Sequence, residues 1–284
     1  MGGMARTVCA MAAATVFLAA CAPATNYESA SKPRYAWTAP PAADPVPGLR
    51  IATWNIRYAA DVDGALAAIR GDDHLRGADV IALQEMDAPG VDSIARGLGL
   101  SYVYYPAAVH PRGGKDFGNA VLVRGRIVSD GKVFLPHLSR GRGMQRIAVW
   151  ADVEVDGLRF RVYTLHLSAD AEMSRRKRLD QVRALIAHAR DHQPPVVVAG
   201  DFNDRGAVGY AFESAGYEWV SRDLPATVSW FTWDHIFARG LRLAALDRRG
   251  VADPRGSSDH RPMWADLEPA GASTARRTGR TPSP

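Results

Sequence analysis

The feature that most constrains this chain is a run without polar alternation, Val196-Val197-Val198-Ala199, followed at once by Gly200-Asp201-Phe202-Asn203-Asp204. A strand with one wet face alternates polar and apolar side chains, so an unbroken β-branched run fits a strand covered on both faces. Such a strand needs one layer above it and another below. The polar cluster behind it then falls where the strand leaves the core, held rigidly yet open to solvent. A layered α/β chain with its chemistry at strand ends is expected.

Other segments support this. Strands are expected at 49–54, 78–83, 102–105, 120–123, 147–155, 158–165, 233–238, 241–246 and 263–267. The fifth and sixth are split by Asp156-Gly157, a hairpin turn signal. Helical patterns fall between the first two strands, around Leu66 and Ile69, again near 91–98, and over a long polar stretch at 171–192 ended by Pro194-Pro195. Helices mixed with hairpins imply mixed sheets rather than purely parallel ones.

The ends of the 284-residue chain read differently. Residues 1–20 hold one charge, Arg6, and an apolar stretch ending Leu18-Ala19-Ala20-Cys21. That reads as a secretory signal, shorter than the about 20 apolar residues of a spanning helix. Its end resembles a bacterial lipobox, which implies cleavage before Cys21 and lipidation of that sulfur. The other cysteine, Cys9, lies inside the signal, so the mature chain is expected to form no internal disulfide. Residues 22–49 carry six prolines and read, with Cys21, as an extended tether over 21–49. Residues 270–284 read as a disordered basic tail, leaving one domain at 50–269. The chain's net charge of +5 suggests nucleic-acid binding, but outside signal, tether and tail the domain keeps only +1. Charge alone therefore favours a basic tail near anionic membrane as much as a DNA enzyme.

Polar residues gather at the expected strand ends: Asn55, Gln84-Glu85, His166, Asp201 to Asp204, and Ser258-Asp259-His260. Glu85, Asp201 and Asp259 offer hard carboxylate oxygens suited to Mg²⁺ or Mn²⁺, and Asn55 and Asn203 add neutral oxygens and amide donors. His166 and His260 can donate to a phosphoryl oxygen or move protons. The set fits metal-assisted attack of water on a phosphate ester. Each residue alone has a blander reading as a turn or a solvated strand end.

Seven ordered pieces resemble the endonuclease/exonuclease/phosphatase family, the superfamily of deoxyribonuclease I: Thr53-Trp54-Asn55, Leu83-Gln84-Glu85, Phe117-Gly118-Asn119-Ala120, Thr164-Leu165-His166-Leu167, Gly200-Asp201-Phe202-Asn203, Asp234-His235-Ile236-Phe237 and Ser258-Asp259-His260. The resemblance implies a four-layer sandwich of two mixed sheets flanked by helices. It implies Glu85 as principal metal ligand, with Asn55 and Asp259 nearby. Asp201 and Asn203 are implied to orient or deprotonate the attacking water, His260 to be the terminal catalytic histidine, and Asp234 to fix its tautomer. His166 is implied to stabilise the phosphoryl group or protonate the leaving oxygen. Arg146 and Asn119 match family positions that face the phosphate or support His166; a surface arginine and a strand-entry hydrogen bond are the plainer alternatives. Arg178 and Gln181 match a helical Arg-x-x-Gln within a run otherwise read as a solvated face. Trp230, Phe231 and Trp233 are read as cleft or core aromatics.

The histidine in Thr164-Leu165-His166-Leu167 resembles the deoxyribonuclease I, sphingomyelinase and inositol-phosphatase branches rather than the abasic-site endonucleases. The resulting expectation is a Mg²⁺- or Mn²⁺-dependent phosphodiesterase or nuclease, lipid-anchored in a bacterial cell envelope outside the cytoplasm. Its substrate is a phosphate ester: nucleic acid, phospholipid headgroup or small phosphodiester. A phospholipid-headgroup or inositol-phosphate hydrolase is the alternative. A non-catalytic binding lipoprotein is disfavoured by the intact polar set. No obligate protein partner is evident from the sequence.

Overall fold

Residues 23–40, 48–111, 113–193, 195–204 and 206–271 are described by a computed structural model; the expected signal, Cys21 and the tail from 272 lie outside them. In chain order the elements are β1 (Thr25–Asn26), β2 (Tyr35–Trp37), β3 (Leu49–Asn55), a 3-10 turn (Arg57–Ala59), α1 (Val62–Arg70), α2 (Asp73–Arg76), β4 (Val80–Met86), α3 (Ala88–Leu98), β5 (Ser101–Val109), β6 (Asp116–Val123) and β7 (Arg126–Phe134). There follow β8 (Ile147–Val155), β9 (Leu158–His166), α4 (Arg175–Ala189), β10 (Val196–Asp201), α5 (Ala207–Ser214), β11 (Glu218–Trp219), β12 (Asp234–Arg239), β13 (Leu241–Leu243), β14 (Arg249–Val251) and β15 (Met263–Pro269). No described helix is long and apolar enough to cross a membrane.

The strands form two mixed sheets, as expected. One has the order β1-β5-β6-β4-β3-β15-β13, with β2 also on β5 and β14 also on β15; the other runs β11-β12-β10-β9-β8-β7. β3 runs parallel to β4, and β9 to β10, and each of these pairs is joined by helical crossovers. The run at Val196 explains the layering. Val197 and Ala199 point between the sheets, beside Ile51, Val121 and Val162. Val196 and Val198 point the other way, against Val182 and Leu185 of α4 and Phe212 of α5. On the outer face of the first sheet, Ile69 of α1 and Ile94 of α3 pack on Ala52, Ile81 and Leu83. Four layers result.

Local signals fix the corners. Asp61, Asp72 and Asp87 accept hydrogen bonds from first-turn N–H groups of α1, α2 and α3. Asp156 and Gly157 have φ of +47° and +81°, the pair of positive values that a two-residue hairpin turn needs. The long helix is shorter than 171–192, because residues 169–173 form a separate turn closed on the Ala169 carbonyl. β7 carries no sequence signal. It is an edge strand with a register shift after Ile127 and only one fully buried position, so it lacks an apolar stripe.

The expected free tether is corrected by the structure. β1 pairs with the end of β5 and β2 with its first half, covering an edge that is buried along nearly its whole length. Asn26 donates from Nδ2 to the Gly143 carbonyl and accepts at Oδ1 from the Gln145 N–H, both at 2.8 Å. Arg34 makes a two-point contact with Asp130 at 2.7 Å, and the Lys132 ammonium donates to the carbonyls of Lys32 and Pro106. The prolines hide this strap because they interrupt the periodicity by which short edge strands are read.

Candidate active site

The register assembles the site. Asp201, last in β10, lies directly opposite His166, last in β9, and Asp234, first in β12, so all three project from one face of the second sheet. In the first sheet Asn55, last in β3, lies opposite Gln84. Gln84 points inward, donating to Thr53 and, across the sheets, to Thr164 Oγ1 at 2.9 Å. By strand alternation Glu85 should point away. A register shift between Leu83 and Met86 and a φ of +58° at Glu85 turn it towards the seam instead. A non-glycine residue in this conformation costs of order 1 kcal/mol, a strain of the kind concentrated at functional sites.

Asn55 ties the sheets together, its Nδ2 donating to Glu85 Oε1 at 3.1 Å and Asp201 Oδ2 at 3.0 Å. Asp201 Oδ1 accepts from the Asn203 N–H at 2.9 Å, and His260 Nε2 stands 3.6 Å from Asp201 Oδ2. His260 Nδ1 meets Asp234 Oδ2 at 3.0 Å. Burial alone would strip the proton from His260; the carboxylates of Asp234 and then Asp201 outweigh it and push the pKa up to about 10. Burial raises Asp201, opposed by the charge of His260.

His166 is the opposite case. Asn203 Nδ2 faces its Nε2 at 3.1 Å and also donates to the Leu167 carbonyl, so Nε2 accepts and the ring proton sits on Nδ1. Burial, reinforced by the charges of Arg146 and His260, pushes its pKa well down and keeps the ring neutral. His166 Nδ1 is buried, has no hydrogen-bond partner and lies 3.6 Å from Glu85 Oε1. Arg146 is likewise buried. Its Nε donates to Ser168 and its Nη2 to Glu172, while Nη1 is unpartnered. Phe117 lies between them, under the Arg146 guanidinium at 5.5 Å and 5.8 Å from the His166 ring. Two buried donors without acceptors at one seam suit phosphoryl oxygens.

The donor set also fits a divalent cation. Burial raises the pKa of Glu85, whose hydrogen-bond partners are the neutral Asn55 amide and the Tyr58 N–H. A buried carboxylate in contact with neutral donors gains most from a bound cation. Asp201, Asp234 and His260 also bring ligand atoms within 4.8 Å of one another, but there His260 and Asp234 already share a proton. Asp259 stands at the rim, its side chain 54% exposed and 3.7 Å from Arg57. Asn119 is placed behind the site, donating to the Ile147 carbonyl and so joining β6 to β8 one residue past Arg146.

Arg178 is no part of a solvated face. It is buried, bonded to Asp170 and the Met173 carbonyl, while Gln181 donates to the Pro136 carbonyl. Phe231 and Trp233 stack at 5.3 Å, half-buried, and Trp230 is exposed. Sequence reasoning missed Ser168 and Glu172 as the frame of Arg146, since neither has a distinctive pattern, and it gave no role to Phe117 although that residue opens one of the seven matching pieces. It also gave no role to His235 of the Asp234-His235-Ile236-Phe237 piece, which donates from Nε2 to the Asp204 carbonyl and accepts from Trp219, bracing the loop behind Asp201.

Carboxylates, a charged His–Asp pair, a neutral histidine and a buried arginine thus meet at the seam of the four-layer sandwich. The Endonuclease/Exonuclease/phosphatase family model matches residues 52–260, and the chain belongs to that family, a group of phosphoester hydrolases. No curated protein matches it. Among solved structures it is similar to an endonuclease/exonuclease/phosphatase from Bacteroides vulgatus, with a TM-score of 0.64 and 18% identity over 79% of this chain and 100% of that one. It is also similar to D. rerio TDP2 complexed with single strand DNA product, at 0.60 and 18% over 78% and 100%. A third is the Bacteroides thetaiotaomicron mannosyl-6-phosphatase, at 0.56 and 19% over 78% and 99%. At these identities the likeness shows the fold.

Proposed function

We propose that this protein is a divalent-metal-dependent phosphodiesterase or nuclease, anchored outside the cytoplasm through lipid on Cys21. The observation that carries the chemistry is the position of Asp201, held by the Asn203 N–H and the Asn55 amide and facing the charged His260. Glu85, with Asn55 beside it and Asp259 at the rim, would hold Mg²⁺ or Mn²⁺. The metal would supply positive charge to the phosphoryl oxygens and lower the pKa of bound water. Asp201, its basicity raised by burial, takes the proton of the attacking water. Asn203 and Asn55 fix the orientation of that carboxylate. The His260 imidazolium, kept charged by Asp234, stabilises the negative charge that builds on the phosphoryl oxygens and gives its Nε2 proton to the leaving oxygen as that P–O bond breaks, while Arg146 Nη1 and His166 Nδ1 receive phosphoryl oxygens.

The phosphodiester reading is supported by the likeness to D. rerio TDP2, a protein whose solved complex holds a single strand DNA product. Hydrolysis of phospholipid headgroups or inositol phosphates is a second reading, favoured by the lipobox-like end at Cys21. A panel of duplex DNA, single-stranded nucleic acid, sphingomyelin, phosphoinositides and phosphomonoesters with Mg²⁺ or Mn²⁺ separates them. Phosphodiester turnover that stops with EDTA, and falls about a thousandfold in Asp201→Asn, is expected. Turnover unaffected by EDTA removes the metal role, and a wild-type rate in Asp201→Asn removes the base.

A further inference from the structure

The described chain enters the fold at the same edge that carries the site. Thr25 lies opposite Val109, and Val109 opposite Asp116, which opens β6 two residues before Gly118. Gly118 lies opposite Met86, next to Glu85. On its other side, the Ala24 N–H donates to the Arg142 carbonyl, in the loop that leads to Arg146. β15 instead ends at the far edge, where Leu267 lies opposite Leu49 at the start of β3.

Cys21 precedes Ala24 by three residues, which span at most about 11 Å. A free tether over 22–49 would reach roughly 100 Å and impose no orientation. The docked strap removes that freedom. The surface where it docks is basic and partly apolar. Leu138 is 50% exposed, Arg140 and Arg142 follow it, and Arg176 and Lys177 lie in the first turn of α4. The two segments touch, the Arg140 N–H donating to the Glu172 carbonyl at 2.8 Å. Among the described residues none of these four cations has an ion pair, whereas the acids beside them are engaged: Glu172 by Arg146, Asp170 by Arg178, and Asp180 by His137 and Arg183.

We infer that this edge is the membrane-facing surface of the protein. Lipid on Cys21 and the cations around Leu138 engage one anionic headgroup layer, and the mouth of the active site opens against it. The inference rests on the lipidation proposed above. One lipid attachment and a basic cluster reinforce each other when both reach the surface together. An anionic bilayer attracts lysines and arginines held within a Debye length, about 8 Å at physiological salt.

The two cysteines of the chain allow a direct test. Once Cys9 has left with the signal and Cys21 carries lipid, an introduced cysteine is the sole free thiol. Leu138→Cys and, at the far edge just before β10, Asp191→Cys would each be labelled with a fluorophore. The lipidated proteins would then be reconstituted on phosphatidylglycerol–phosphatidylethanolamine vesicles carrying a headgroup quencher. Quenching at least threefold stronger at position 138 is expected, and it should weaken when Arg140, Arg142 and Arg176 are all changed to Glu. Equal quenching at the two positions, or stronger quenching at 191, overturns the orientation. An intact mass without lipid on Cys21 overturns orientation and anchor together, while hydrolysis of a soluble phosphodiester by the same sample leaves the catalytic reading standing.

Discussion

At the residue scale, charge is decided by neighbours rather than by residue type. Two histidines in one seam take opposite states: His260 is held charged between Asp234 and Asp201, and His166 is held neutral by burial beside Arg146. Glu85 is the carboxylate whose replacement tests the metal most cleanly. Glu85→Gln keeps the size and removes the charge, so the Mg²⁺ concentration for half-maximal rate should rise at least about tenfold. In EDTA its melting temperature should not fall, because burial already disfavours the charged form. Lys132 gives a stability prediction. Burial lowers its pKa to about 8, so between that value and its ordinary 10.5 the unfolded chain binds more protons than the folded one. Stability contributed through Lys132 therefore rises with pH across this window. Urea unfolding of wild type and Lys132→Met from pH 7.5 to 10 should show wild type gaining on the variant; a constant difference would remove the assignment.

At the scale of elements, the strands carrying the site pack too closely for side chains at some positions. A Cβ on Gly200 would lie 2.2 Å from the Leu165 carbonyl oxygen, which belongs to the β9 backbone and cannot yield. Gly200→Ala should cost about 1–3 kcal/mol in urea denaturation and lower the rate, because β9 and β10 set Asp201 against His166. Much at this scale was legible. The doubly buried run, the Asp-Gly hairpin and the polar strand ends placed β8, β9 and β10, and with them His166 and Asp201. The reversal of Glu85 was not, since a bulge leaves no mark in an apolar-polar pattern. The link from Gln84 to Thr164 was not legible either, because it depends on how two sheets face each other. β7, with no apolar stripe, and β1 and β2, hidden among prolines, fell outside what periodicity detects.

For the whole molecule, the strap changes where the domain begins. It contributes Tyr27 to Asp116, Arg34 to Asp130 and the carbonyl that receives Lys132, all outside the expected 50–269 boundary. Deleting residues 23–40 should lower the melting temperature by about 5–10 °C in a scanning measurement, whereas a free tether would leave it unchanged. The pairing of the two ends of the sheet has a temporal consequence. β3, near the start of the domain, is braced on one side by β15, near its end, and the Trp54 indole donates to the His260 carbonyl. A nascent chain therefore possesses Glu85 and Asp201 long before it possesses His260 or the strand that steadies Asn55. The assembled site therefore exists only once β15 has been made, and a chain still being synthesised holds these carboxylates without the histidine that faces them.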